Sequence, residues 1–117
     1  MFNAIIVIVG EPISLERARK GKAGNWYDPC KKEKQSFALQ CLAQWNPAMR
    51  PFNNTFEMDA SFYCGGHAKD IDNMFKFVAD ALQDIYWKND SQIKEIRARI
   101  VNVEENPRTV LMIRMVT

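Results

Sequence analysis

Nothing in this chain is long and apolar enough to cross a membrane: its longest apolar run, residues 4–9, falls far short of the ~18 residues a spanning helix needs. The first residues offer no basic stretch, no longer apolar core and no small-residue cleavage site, so no secretory signal is expected. Cysteine is scarce. Cys30, Cys41 and Cys64 are an odd number at irregular spacing, which speaks against a disulfide framework and for the reducing cytoplasm. Histidine occurs once, as His67. With the cysteines it could in principle bind zinc, and Cys64-x-x-His67 has a suggestive spacing, but the other gaps are unlike a compact zinc motif. Buried thiols and a loop histidine are the plainer reading. A cysteine–histidine nucleophile would lack any marked third group or oxyanion site. Neither G-x-x-x-x-G-K-[ST] nor G-x-G-x-x-G occurs, which sets nucleotide-binding folds aside. Repeats, low-complexity segments and inter-domain linkers are also missing, so residues 1–117 are expected to form a single domain.

What is present is unevenly spread charge. The net charge is only +2, from 16 basic and 14 acidic residues, too little to announce a nucleic-acid partner by itself. Arg17, Arg19, Lys20 and Lys22 nevertheless crowd one loop, Lys31, Lys32 and Lys34 follow, and acids are commoner further along. That asymmetry points to a polyanionic partner or, more simply, to a solvated surface.

Residues 2–9 are β-branched and almost continuously apolar, which predicts a strand buried on both faces near the middle of a sheet. Gly10 and Pro12 end it. Residues 11–27 read as a long loop, and loops of that length in a small domain are often functional. Asp28-Pro29 has the form of a helix start, predicting a helix over 28–45 with Phe37, Ala38, Cys41, Leu42 and Trp45 as its apolar stripe. Residues 55–64 alternate, with Phe56, Met58, Ala60, Phe62 and Cys64 on one face, as in a half-buried strand. A second helix is predicted over 72–86, with Met74, Val78, Ala81 and Ile85 inward and Asp72, Lys76, Asp80 and Gln83 outward. Residues 93–104 predict a strand with outward charges, and 109–116 a last strand as its antiparallel partner. The order β-α-β-α-β-β predicts an α+β (mixed α/β) domain, two helices packed on a sheet of about four strands.

The stretch that carries chemistry is 69–82, Lys-Asp-Ile-Asp-Asn-Met-Phe-Lys-Phe-Val-Ala-Asp-Ala-Leu. In an extended backbone residues i and i+2 point the same way, so Asp70 and Asp72 can share a ligand. Asp72 and Lys76, four apart, stack on one helix face. A third acid, Asp90, follows the helix in Asn89-Asp90-Ser91-Gln92-Ile93. Hard oxygen ligands beside a lysine suit Mg²⁺, which takes one or two carboxylates and keeps waters and substrate phosphate as the rest. The lysine would then stand near a phosphate or leaving oxygen. Fifteen helical residues span roughly 22 Å, so Asp90 joins the other acids only if the next strand starts back along the helix. The alternatives are local: Asp72 as an N-cap, Asp90 capping a turn, Lys76 pairing with Asp72 for a few tenths of a kcal/mol. Asp80 could orient Lys76 or simply pair with it. Trp26 and Tyr27 could stack on bases or sugars, or pack in the core.

The run Asp70-Ile71-Asp72-Asn73-x-x-Lys76-x-x-x-Asp80-Ala81-Leu82, followed by Asn89-Asp90-Ser91-Gln92-Ile93, resembles the RusA family of Holliday junction resolvases, common in phages and prophages. Upstream, Pro12, Arg17-x-Arg19 and Tyr27-x-Pro29 resemble the basic loop and Y-x-P of many members. The resemblance implies a Mg²⁺-dependent endodeoxyribonuclease, with Mn²⁺ as a substitute, serving recombination and repair in the cytoplasm of a bacterial host. It implies a homodimer acting on four-way DNA junctions, each subunit cutting one of two opposed strands. Asp70, Asp72 and Asp90 match the family's catalytic, metal-binding carboxylates, and Lys76 its catalytic lysine. Arg17, Arg19, Lys20, Lys22 and Lys69 would hold the DNA backbone, a salt-sensitive contribution with little sequence preference. Asn89 departs from the pattern, standing where many members carry the first acid of an acid pair. Two other readings use the same residues: a nuclease of broader range that cuts flaps or forks, and a branched-DNA-binding protein that does not cut. A pure binder gains nothing from carboxylates facing phosphates.

Overall fold

The computed structural model of the chain describes residues 2–16, 19–21, 24–66 and 69–116. Among these residues nine elements succeed one another: β1 (Ala4–Val9), β2 (Arg19–Lys20), β3 (Trp26–Tyr27), α1 (Lys31–Gln44), β4 (Thr55–Cys64), α2 (Ile71–Ala81), a 3₁₀ turn (Asp90–Gln92), β5 (Ile93–Asn102) and β6 (Arg108–Val116). The fold is built outward from β4, whose alternating Phe56, Met58, Ala60, Phe62 and Cys64 are all buried under the helices. The main sheet has the order β1-β6-β4-β5, and β2 and β3 form a separate two-stranded ribbon. β5 runs parallel to β4, a pairing that needs a crossover, and α2 is that crossover. An edge-to-face contact between Phe37 and Phe77, centroids 5.5 Å apart, locks the two helices together. Among the described residues no helix is long and apolar enough to cross a membrane.

The expected α+β architecture of two helices on a mixed four-stranded sheet holds, while several details differ. β1 is an edge strand, not a middle one: Ile5, Val7 and Val9 point away from the helices and are 64%, 41% and 81% exposed. A continuous apolar run makes burial tolerable on both faces but does not supply a second neighbour. Part of the free edge is closed by α1, where the Gln44 side chain donates to the Val7 carbonyl at 2.7 Å and accepts from the Val7 N–H at 2.8 Å.

β6 does not pair with β5; it crosses to lie between β1 and β4, antiparallel to both. The charges explain the choice. β5 carries Lys94, Glu95, Arg97 and Arg99 and belongs at an edge, whereas β6 buries Thr109, Leu111 and Ile113 and belongs inside. α1 begins at Lys31, three residues later than predicted, because Asp28 and Pro29 form a turn in which the Asp28 carboxylate accepts the Cys30 N–H at 2.8 Å. α2 stops at Ala81 instead of 86. Asp84 takes a positive φ of 66° there, folding the chain so that Tyr86 and Trp87 are fully buried. The Trp87 indole donates to the Ala79 carbonyl at 3.2 Å, and the Tyr86 hydroxyl to that of Trp45 at 2.6 Å.

Candidate active site

The shortened helix matters for the acids. Eleven residues of α2 span roughly 16 Å, so less chain is needed to return Asp90 to the helix face. The return is stapled at its far end by Gln92. Its side-chain oxygen accepts the N–H groups of Lys88 (2.8 Å) and Asn89 (3.0 Å), and its side-chain nitrogen donates to the carbonyls of Phe52 and Asn54, both at 2.8 Å. Asn89 caps the 3₁₀ turn, accepting the Ser91 N–H at 2.9 Å. A neutral amide thus holds the position next to Asp90 by local hydrogen bonding.

Asp90 then lines a hollow of about 230 Å³ together with Asp72, Lys76 and Asp80, walled by Phe75, Ala79, Ile93 and Ile96. Asp72, Lys76 and Asp80 are successive i, i+4 positions on one face of α2, spread over roughly 12 Å. The Lys76 ammonium sits 3.1 Å from the Asp72 carboxylate, both side chains well exposed. The core takes the other face, through Met74, Phe77, Val78 and Ala81.

Asp70 stands apart from this hollow. It is the N-cap residue of α2, with extended backbone (φ −78°, ψ 118°), and its carbonyl accepts the Met74 N–H at 3.0 Å. Its carboxylate does not cap the helix. Among the described residues the only hydrogen bond to that carboxylate comes from the Asn73 side-chain amide, at 3.4 Å. Asp72 already lies in the first helical turn, so the extended-chain argument for a shared ligand fails: helical residues two apart do not face each other. Among the described residues no three histidine, cysteine, aspartate or glutamate side chains cluster closely enough to hold a metal. The donor chemistry nevertheless suits Mg²⁺: of the three carboxylates in the hollow Asp80 is engaged by Lys34, and one or two others, completed by water and a substrate phosphate, are what that ion commonly uses.

Asp80 pairs across the helix interface, not along the helix. Lys34 of α1 places its ammonium 3.5 Å from Asp80 and 2.6 Å from Asp28. The Lys34 hydrogen bond holds the Asp28 carboxyl below its ordinary range. Burial works against the Lys34 charge, but the two carboxylates outweigh it and keep the ammonium's pKa above the ordinary lysine value. Lys34 and Gln92 are the site-building residues that the sequence reading missed. Gln92 sat in view inside the Asn89–Ile93 stretch, whereas a contact between Lys34 and Asp80 leaves no local signature.

The cations fall into three groups. Lys20 is exposed on the ribbon, where its strand partner is Trp26. Arg19 pairs through its backbone with Tyr27 in the same ribbon. Lys69 is engaged internally: its ammonium lies 3.0 Å from Glu11 and also donates to the Pro12 carbonyl, fixing the loop after β1 to the entrance of α2. Arg17 and Lys22 lie outside the described residues, as does His67. Trp26 and Tyr27 are not core residues, being 71% and 49% exposed. All three cysteines are buried free thiols, and burial pushes Cys41 up to about 12, far from the thiolate a nucleophile needs.

A family model described as Endodeoxyribonuclease RusA matches residues 10–114 of the 117-residue chain. No curated protein matches the chain well enough to count as a relative.

Proposed function

The chain belongs to the RusA family of endodeoxyribonucleases, which act on branched DNA junctions, and from that premise we propose that it is a Mg²⁺-dependent resolvase of four-way junctions that works as a homodimer. The observation that carries the proposal is the hollow shared by Asp72, Lys76 and Asp90, three residues from two chain segments whose charges complement a metal-bound phosphate. Asp72 and Asp90 would hold the ion, with Asp70 contributing from the mouth of α2. When bound, Mg²⁺ supplies an activated water and neutralises charge gathering on the phosphate oxygens; Mn²⁺ would serve in its place. Lys76, steadied by Asp72, meets a non-bridging or leaving oxygen and stabilises its developing charge. A homodimer would present two such hollows related by a two-fold axis, which suits paired cuts in a pseudo-symmetric junction during recombination and repair.

The test uses a labelled four-way junction, a linear duplex and a fork, each with and without Mg²⁺. Paired, symmetric nicks confined to the junction and dependent on the metal are expected. Lys76→Met should slow single-turnover cutting about 100- to 1,000-fold while junction affinity changes by about twofold or less. Equal cutting of the linear duplex would overturn the junction assignment, and collapse of affinity without loss of rate would move Lys76 to the DNA-holding surface.

A further inference from the structure

The ribbon of β2 and β3 is a small device with no part in the hollow just described. At its end the Gly24 N–H donates to the Gly21 carbonyl at 3.0 Å and the Gly21 N–H to that of Asn25 at 2.8 Å. Gly24 takes a φ of +82°, which glycine alone adopts without cost. The strand pairing sets Lys20 directly opposite Trp26, and opposed residues of an antiparallel pair share a face. Single exposed hydrophobic residues need no explanation. Here, however, an indole 71% exposed and a phenol 49% exposed occupy adjacent positions. With Pro29, Lys31, Lys32 and Glu33 they border a shallow hollow of about 620 Å³. Lys20, Lys31 and Lys32 give its surroundings a net positive charge, since Asp28 is already matched by Lys34.

We propose that Trp26 is a stacking platform that receives the face of a base left unstacked at the branch of the DNA substrate, with Lys20, Lys31 and Lys32 holding the flanking phosphates. This rests on the chain acting on branched DNA and adds to that reading the feature of the branch that is recognised. A flat π-face open to solvent beside point cations is the combination that binds single-stranded nucleic acid without sequence preference. A continuous duplex keeps its bases stacked on each other and offers Trp26 nothing. A branch point, where stacking is broken, does. The platform is coupled to the carboxylates through the chain itself. Asp28, the residue after Tyr27, caps the turn before α1 and binds Lys34, which reaches Asp80 in the acidic hollow.

The protein carries its own reporter. Trp87 is fully buried and Trp45 only partly accessible, so quenching by acrylamide is dominated by Trp26. Binding of a short oligothymidylate, or of a four-way junction, should protect that emission, whereas a linear duplex of matched length should not. Trp26→Ala should weaken oligothymidylate and junction binding about 5- to 100-fold, Trp26→Phe should keep most of the affinity, and duplex binding should stay within about twofold for both. Unprotected emission, unchanged oligothymidylate affinity in Trp26→Ala, or an equal loss on linear duplex would each overturn the proposal. Protected Trp26 emission in a protein that fails to cut junctions with Mg²⁺ would count against the nuclease reading and for the platform. A Trp26→Ala variant that binds and cuts junctions like the parent would sink the platform alone.

Discussion

Two clusters of acids and cations lie on opposite sides of this molecule, built from the same kinds of side chain. On the sheet face away from the helices, Arg99 of β5 grips Asp59 of β4 with both ends of its guanidinium, at 2.7 and 3.1 Å, and also donates to the Ser61 hydroxyl. The Asp59 side chain is only 12% exposed, and Arg99 holds its carboxyl below the ordinary range. On α2, Asp72 and Lys76 share a single 3.1 Å contact and are 72% and 57% exposed. The first cluster has spent its hydrogen-bonding capacity on itself. Both clusters border a hollow, about 370 Å³ beside Asp59 and about 230 Å³ beside Asp72, but only the second has lone pairs to spare within it. Ion pairs alone therefore do not mark a site; unspent capacity next to open space does.

The largest expected effect breaks this comparison at the hollow. Asp72→Asn and Asp90→Asn should each lower single-turnover junction cutting about 100-fold or more, while thermal denaturation moves by less than about 0.5 kcal/mol. Asp70→Asn should lose as much, because among the described residues its carboxylate accepts only a 3.4 Å hydrogen bond from Asn73 and keeps lone pairs for a ligand. Loss of stability in parallel with activity would place these acids with Asp59 as structural groups.

How far the sequence foretold this depends on whether the determinant was local. The bounds of β4 and its helix-facing row were legible to the residue from period-2 alternation, whereas the burial of Asp59 and Ser61 on the opposite face, where a half-buried strand was expected to be open, was not. The face of α2 that carries Asp72, Lys76 and Asp80 was legible for the matching reason at period 3.6. The end of α2 was not. Ile85 continues the helical stripe in sequence, but burying Tyr86 and Trp87 together requires the left-handed turn at Asp84, a tertiary demand that overrides the pattern. The neighbours of β1 and β6 were hidden likewise, because strand order is settled by which surfaces remain to be covered after the helices dock. At the site, spacing singled out Asp70 and Asp72, and the family resemblance added Asp90 as a third ligand; that Asp72 and Asp90 line one hollow depends on the backbone's switch from extended to helical at Ile71 and on the early end of α2, which no local pattern encodes.

The middle-sized effect attacks the satisfied cluster. Asp59→Asn should lower the melting temperature and leave junction cutting intact below it. Its pH dependence fixes the sign. The folded-state pKa of Asp59 is depressed, so its contribution is fully present above the unfolded carboxylate value of about 3.9 and fades as pH falls through the lower folded value. The stability gap between parent and variant should therefore be constant near neutral pH and close at strongly acid pH. A gap that widens in acid would mean that Arg99 does not stabilise the charged form.

The smallest effect tests the element that belongs to neither class. Lys34 is mostly buried, yet its partners Asp28 and Asp80 are 35% and 40% exposed, so solvent screens the triad. Lys34→Met keeps the length of the stem and removes the charge; a loss of only about 0.5–1 kcal/mol is expected, shrinking as salt is raised. Because the Lys34 pKa is raised on folding, this contribution is complete below the unfolded lysine value of about 10.4 and disappears only as pH climbs through the folded one. The functional consequence should exceed the structural one. With Lys34 gone, Asp80 is left unneutralised beside the hollow, and the ribbon loses its tie to α2. Cutting should fall several-fold, and the fall should be larger for a junction than the change in stability predicts. A variant whose rate follows its stability alone would make Lys34 another Arg99, a fastening between elements with no bearing on the acids it touches.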